Sequence, residues 1–226
     1  MLNAENTVGE WVASNWNTAT IFDKYQIDFC CGGGVSLREV CGKNNLKVAD
    51  VITELQESKP NANVIDPNSL EIPELVSYII KEFHEEIRVQ IPIIKSYLDK
   101  VVQAHGLNHE ELIDIQKLFE EDSVDILFHL QKEEEVLFPI ISQKDFDKTN
   151  TFILSPINQM ELEHQQEGDR YNMIATLSNN FTAPDDACNS YKHLYHLLKH
   201  YVDRLHQHIH IENNILFYKL KNQLFH

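Results

Sequence analysis

Glycine and proline are scarce in this chain, seven of each in 226 residues. That is too few for the many tight turns of an all-β protein. No run of eighteen or more apolar residues occurs, so no segment is expected to span a bilayer. Positive charge is also short: 19 Lys and Arg against 35 Asp and Glu leave a formal net charge of −16. Such a surface repels the phosphate backbone of nucleic acids and the anionic face of a membrane, so neither is an expected partner. The four cysteines, two of them adjacent, are too few for a disulfide scaffold, which points to a reducing, cytoplasmic setting. The start, Met1-Leu2-Asn3-Ala4-Glu5, has neither the basic region nor the apolar run of a secretory signal.

What the chain does have is long stretches rich in Leu, Ile, Glu, Lys and Gln, which predict an all-α fold. Residues 1–58 read as a small helical domain: Val8, Trp11, Val12, Ile21, Phe22 and Tyr25 recur at helical spacing behind a Thr7 cap. The pattern breaks at Asp28-Phe29-Cys30-Cys31-Gly32-Gly33-Gly34, because three glycines hold a helix poorly. Two short helices follow, one capped by Ser36 and one from about Lys47 to Glu57. Residues 59–69, with two prolines and three asparagines and no apolar rhythm, read as a linker. Four long helical stretches then predict an up-and-down four-helix bundle over residues 70–226. They run from about Pro73 to Ala104 (through Pro92, which should bend the helix), Asn108 to Ser142, Ser155 to Asn180, and Pro184 to Leu220.

The halves of this bundle repeat. His129-x-x-x-Glu133 followed by Leu137-Phe138 matches His208-x-x-x-Glu212 followed by Leu216-Phe217. Upstream of each pair stands one more histidine at nearly the same distance, His84 before His129 and His164 before His208. Residues four apart on a helix project together, so each pair can present an imidazole and a carboxylate to one point in the core. One His-x-x-x-Glu alone would be an exposed ion pair; the duplicated set points to metal. If both glutamates bridge two ions, each ion has two imidazoles, two carboxylate oxygens and a bridging oxide, leaving one position open. Nitrogen and oxygen donors suit iron, manganese or zinc, and iron is preferred because six donors around two ions exceed a closed structural zinc site.

The remaining histidines read as bystanders. His206 and His210 lie about 200° around the helix from His208 and should face away from the metal. His193, His196 and His200 form a solvated row, and His105 and His109 mark a turn. Glu85, Glu134 and Glu163 each adjoin an expected ligand, yet adjacent helical residues point about 100° apart, which makes most of them surface charges. Glu163 and Asp125 are candidates for orienting an imidazole from behind. Cys30 and Cys31, in a glycine-flanked loop, are candidate reactive thiols, able to bind metal, meet nitric oxide or link two chains. Cys41 and Cys188 read as structural.

These motifs together resemble the RIC (repair of iron centres) family, whose members join a small Cys-Cys-Gly-Gly domain to a hemerythrin-like di-iron bundle. Asp28-Phe29-Cys30-Cys31-Gly32-Gly33 looks like the signature of the leading domain. His84, His129-x-x-x-Glu133, His164 and His208-x-x-x-Glu212-Asn213-Asn214 fall where the di-iron ligands fall. The resemblance implies two iron ions per chain, joined by an oxide, in a cytoplasmic stress protein. Such a protein restores iron-sulfur clusters damaged by oxidants or nitric oxide by supplying iron to damaged iron-sulfur proteins. A hemerythrin-like module that binds or senses nitric oxide or oxygen is the alternative, and a di-iron nitric oxide reductase is a third reading. Its exposed thiols and small domain make a homodimer the expected assembly.

Overall fold

The computed structural model describes residues 2–25, 27–29, 33–58, 65–143 and 151–225. Cys30, Cys31 and Gly32, and most of the expected linker, lie outside them. The chain forms two compact units, one from Met1–Leu75 with His206–His226 and one from Val76–Leu205. Among the described residues all regular structure is helical, apart from one isolated antiparallel bridge between Thr7 and Ser36.

In the first unit, α1 (Val8–Ser14), α2 (Ala19–Lys24), α3 (Leu37–Lys43) and α4 (Val48–Glu57) surround a core of Val8, Trp11, Phe22, Phe29, Leu37 and Leu55. The Thr7 cap is reciprocal: its side chain accepts from the Glu10 amide, and Glu10 accepts from the Thr7 amide. Ser36 caps α3 in one direction only, its side chain accepting from the Glu39 amide. The Gly9 amide donates to the Gly33 carbonyl at 2.8 Å. A Cβ on Gly33 would fall 2.7 Å from the Phe29 carbonyl oxygen, so only glycine fits that close approach. The end of the chain belongs here too: Lys219 donates to the carbonyls of Asn68 and Leu70.

The long helices follow the hydrophobic rhythm. They are α5 (Ile72–Ile79), α6 (Glu85–His105), α7 (Glu111–Lys132), α8 (Phe138–Ile141), α9 (Leu154–Leu177), α10 (Asn189–Ile211) and α11 (Phe217–Phe225). α6 runs on through Pro92. α7 starts at Glu111 rather than at an Asn108 cap, and its flanking Glu110 makes no capping hydrogen bond. In the second unit α6 packs on α7 and α7 on α9. Tyr171 against Tyr201 joins α9 to α10, and the bonds of His200 and Arg204 to Glu86 return α10 to α6. That closes an antiparallel four-helix ring, as expected for short connections between amphipathic helices.

Three π turns interrupt these helices, at Ile80–His84, Glu133–Leu137 and Glu212–Leu216. Each begins or ends on an expected ligand. A π turn admits one extra residue and re-aims the side chains beside it, and such turns gather at functional sites.

Candidate metal centre

Four of the six expected ligands come together inside the second unit. His84 ends the first π turn, His129 sits on the last turns of α7, Glu133 opens the second π turn and His164 lies on α9. All four are buried. Glu133 presents one oxygen to each of two imidazoles: Oε2 faces His84 Nε2 at 3.5 Å, and Oε1 faces His129 Nε2 at 3.4 Å. His164 Nε2 lies 3.0 Å from His129 Nε2. Three nitrogens of one kind therefore converge on one carboxylate.

The far nitrogens are held. His84 Nδ1 donates to Glu134 Oε1 at 2.7 Å, and Arg88 donates to the same oxygen at 2.8 Å. His129 Nδ1 donates to Glu163 Oε2 at 2.8 Å, and Glu163 also accepts from Lys132 and Gln159. A carboxylate behind an imidazole fixes its tautomer with a bare Nε2 forward, which is how metal-binding histidines are oriented. The bond from His129, then those from Lys132 and Gln159, hold the Glu163 carboxyl down to about 2. Burial opposes the same effect at Glu134, but Arg88 and His84 keep its carboxyl below the ordinary range. Glu134 is therefore no mere surface charge, which corrects the sequence reading; its partner stands on the neighbouring helix. Asp125 pairs instead with Arg170 at 2.8 Å and is largely exposed.

Glu133 has no exposed surface, and among the described residues neither of its oxygens has a hydrogen bond. A carboxylate buried in this way costs several kcal/mol unless a positive charge meets it. For His129, burial works against protonation, but Glu133 and then Glu163 raise its pKa well above the ordinary value. A proton can thus stand in for part of the missing charge, and a cation that binds must expel it. The donor set, imidazole nitrogen and carboxylate oxygen only, fits iron, manganese or zinc.

Sequence reasoning missed a further carboxylate. Glu167 lies one turn beyond His164 on α9, is buried, and carries an Oε2 that has no hydrogen bond among the described residues. Burial pushes its carboxyl up to about 7, although the positive charge of His129 and His164 would lower it. Its neighbours Gln165, Gln166 and Asp169 made the stretch look like an exposed face; only its i+3 spacing from His164 signalled otherwise.

In the first unit, His208 Nε2 lies 3.0 Å from Glu212 Oε1, and both side chains are fully buried. This pair matches His129 and Glu133, down to the π turn that starts at the glutamate. His210 faces the other side of the helix but not solvent. Its Nδ1 donates to the Phe29 carbonyl at 3.0 Å, with the two rings 5.5 Å apart, and burial pushes its imidazole down to about 4. His206 packs edge-on against the same Phe29 ring. The residue before Cys30 thus touches the helix that carries His208. Cys188 is exposed and 3.2 Å from His105 Nε2, not a packed structural thiol as expected; Cys41 is buried.

Residues 4–59 match the family model described as Domain of Unknown function (DUF542), and residues 75–220 match the Hemerythrin HHE cation binding domain. A "Probable iron-sulfur cluster repair protein" of Haemophilus influenzae is 36% identical over 97% of this chain and 98% of its own length. The "Iron-sulfur cluster repair protein ScdA" of Staphylococcus haemolyticus is 32% identical over 97% and 99%. The "Iron-sulfur cluster repair protein YtfE" of Escherichia coli is 30% identical over 96% and 97%. With both matches in order along nearly its whole length, the chain belongs to the iron-sulfur cluster repair family, which joins this amino-terminal domain to a hemerythrin HHE cation-binding domain.

Proposed function

We propose that His84, His129, Glu133, His164, His208 and Glu212 hold two iron ions, and that the protein supplies this iron to iron-sulfur clusters damaged by oxidants or nitric oxide. The observation that carries the reading is the buried Glu133 carboxylate, which meets one Nε2 on each oxygen and has no hydrogen bond among the described residues. The ligand atoms available on His129, Glu133 and His164, all in the second unit, support it, lying within 4.8 Å of one another. In this reading Glu133 and its counterpart in the repeated motif, Glu212, bridge the two ions, and each ion has two imidazoles. The relatives' names supply the client class, damaged iron-sulfur proteins.

Bound iron would bring redox chemistry and an open coordination position for nitric oxide or oxygen. The chain's own residues do the rest. Glu134 and Glu163 aim His84 and His129. Carboxylate bridges hold iron less firmly than thiolates would and let it go when a proton or a shift frees one oxygen. No helix among the described residues is long and apolar enough to cross a membrane, and we place the protein in the cytoplasm, as a homodimer. Cys30 and Cys31 remain candidate thiols for the exchange with a client.

The test is transfer. Protein loaded with isotopically labelled iron is mixed with a purified hydro-lyase whose [4Fe-4S] cluster has been damaged by peroxide. Label and activity should both return to the hydro-lyase, faster when the donor iron is ferrous. Recovery that requires only free ferrous salt, with the label retained on the donor, overturns the proposal.

A further inference from the structure

Two helical turns from the proposed ligands, the bundle core holds a second polar layer. Asp122 stands seven residues before His129, Tyr171 seven after His164, and Tyr201 seven before His208. Because the helices alternate in direction, these offsets bring all three side chains to one level, about 10 Å along the axis from the ligands at 1.5 Å per residue. All three are buried. The Tyr171 hydroxyl donates to one Asp122 oxygen, and Arg170 donates to the other at 2.7 Å. Arg170 also reaches Asp125 at the surface. The Tyr201 ring lies 5.8 Å from that of Tyr171 and 5.5 Å from Phe119. Between this layer and the ligands stands Glu167.

An apolar layer would fill the same space without desolvating a carboxylate. A buried phenol bonded to a buried carboxylate has one property that apolar residues lack: it can give up an electron while its proton stays within the hydrogen bond. Burial raises the Tyr171 pKa far above the ordinary phenol value, so the group does not act as an acid. Burial also raises Asp122, to about 6. At neutral pH Asp122 is a carboxylate ready to accept the proton, with Arg170 to balance its charge.

We propose that Tyr171 is an electron donor to the iron site, used when a single ferrous ion there meets hydrogen peroxide. This rests on the iron-donor reading, since a protein that gives iron away passes through a half-loaded state. Cleaving peroxide to two waters takes two electrons and two protons. One ferrous ion supplies one electron and becomes ferric; Tyr171 supplies the other and becomes a neutral phenoxyl radical. The phenolic proton passes to Asp122, and the two protons that complete the waters come from solvent. Without the second electron, breaking the O–O bond yields hydroxide and a hydroxyl radical beside the ligands. Tyr171 thus guards the site during iron transfer, and Tyr201, itself packed on Phe119, covers its ring and keeps the radical from solvent.

The experiment uses the full chain with one equivalent of ferrous iron, its bound iron measured, mixed with hydrogen peroxide and frozen within milliseconds for electron paramagnetic resonance. The wild type should show a tyrosyl signal that Tyr171→Phe loses and Tyr201→Phe keeps, while hydroxyl-radical trapping rises in Tyr171→Phe. In parallel, the metal-free protein is oxidised by azide radicals; a long-lived phenoxyl should form and again vanish in Tyr171→Phe. If that variant folds poorly, 3-fluorotyrosine in place of Tyr171 alters the hyperfine pattern only when the radical resides there. An unchanged signal in Tyr171→Phe, or an unaltered pattern with the fluorinated residue, overturns the proposal. Failure to bind iron defeats the iron-site reading instead, and the azide arm still decides whether Tyr171 is the oxidisable residue.

Discussion

Replacing Glu133 by glutamine separates what the site does for metal from what it does to the fold. Glu133 is a fully buried carboxylate with no hydrogen bond among the described residues, facing imidazole nitrogens at 3.4 and 3.5 Å. Glutamine keeps the shape and removes the charge, and its amide can donate to a neutral imidazole. Replacing a buried ion pair by well-packed neutral groups of similar volume is often neutral or stabilising, by up to about 1–4 kcal/mol, provided that no uncompensated charge is left behind. His129 can then shed its extra proton and keep its bond to Glu163. We expect Glu133→Gln to raise the metal-free stability by about 1–3 kcal/mol, a rise in Tm of several degrees, while its bound iron falls from two ions to one or none. The assay is thermal unfolding of both proteins in excess chelator, beside metal analysis after iron loading. A metal-free Glu133→Gln that melts well below wild type, or that still binds two ions, refutes the reasoning. The first result would mean that Glu133 is a structural ion pair; the second, that it is no ligand.

Two other perturbations probe the surroundings. Glu163→Ala leaves every proposed ligand in place but frees His129 Nδ1, so iron affinity should drop about 10- to 100-fold in chelator competition; unchanged affinity removes Glu163 from the site. For Asp122 the sign runs from its raised carboxyl. Its folded-state value of about 6 lies above the unfolded 3.8, so the folded state holds the proton more tightly and stability declines as pH rises between these values. At 1.36 kcal/mol per pKa unit, the decline contributed by Asp122 is about 3 kcal/mol. Asp122→Asn should flatten urea-derived stability between pH 4 and pH 6; a variant with the same slope as wild type shows that Asp122 does not carry it.

The all-α class, the four long helices and the approach of histidine to glutamate within each His-x-x-x-Glu motif were legible because helical periodicity and i,i+4 spacing are local properties of the chain. The π turns at His84, Glu133 and Glu212 were not, since one extra residue in a turn barely disturbs an apolar pattern. Glu134 was misread because its angle was reckoned round its own helix, whereas its partner His84 belongs to the next one. His210 shows the same limit: it does face away from His208, but that side is covered by Phe29, not water. Glu167 hid within a polar run, and the seven-residue offsets of Asp122, Tyr171 and Tyr201 gain meaning only once the helices are known to be antiparallel neighbours. The Cys30-Cys31 expectation lies outside the described residues.

Diffraction from crystals of iron-loaded protein, collected on both sides of the iron absorption edge, probes the proposed centre without passing through activity. Two anomalous peaks should appear on either side of the Glu133 carboxylate, one beside His84 Nε2 and the other beside the Nε2 atoms of His129 and His164. An iron-replete crystal with no peak there, or with its iron bound at the surface histidines, would contradict the account.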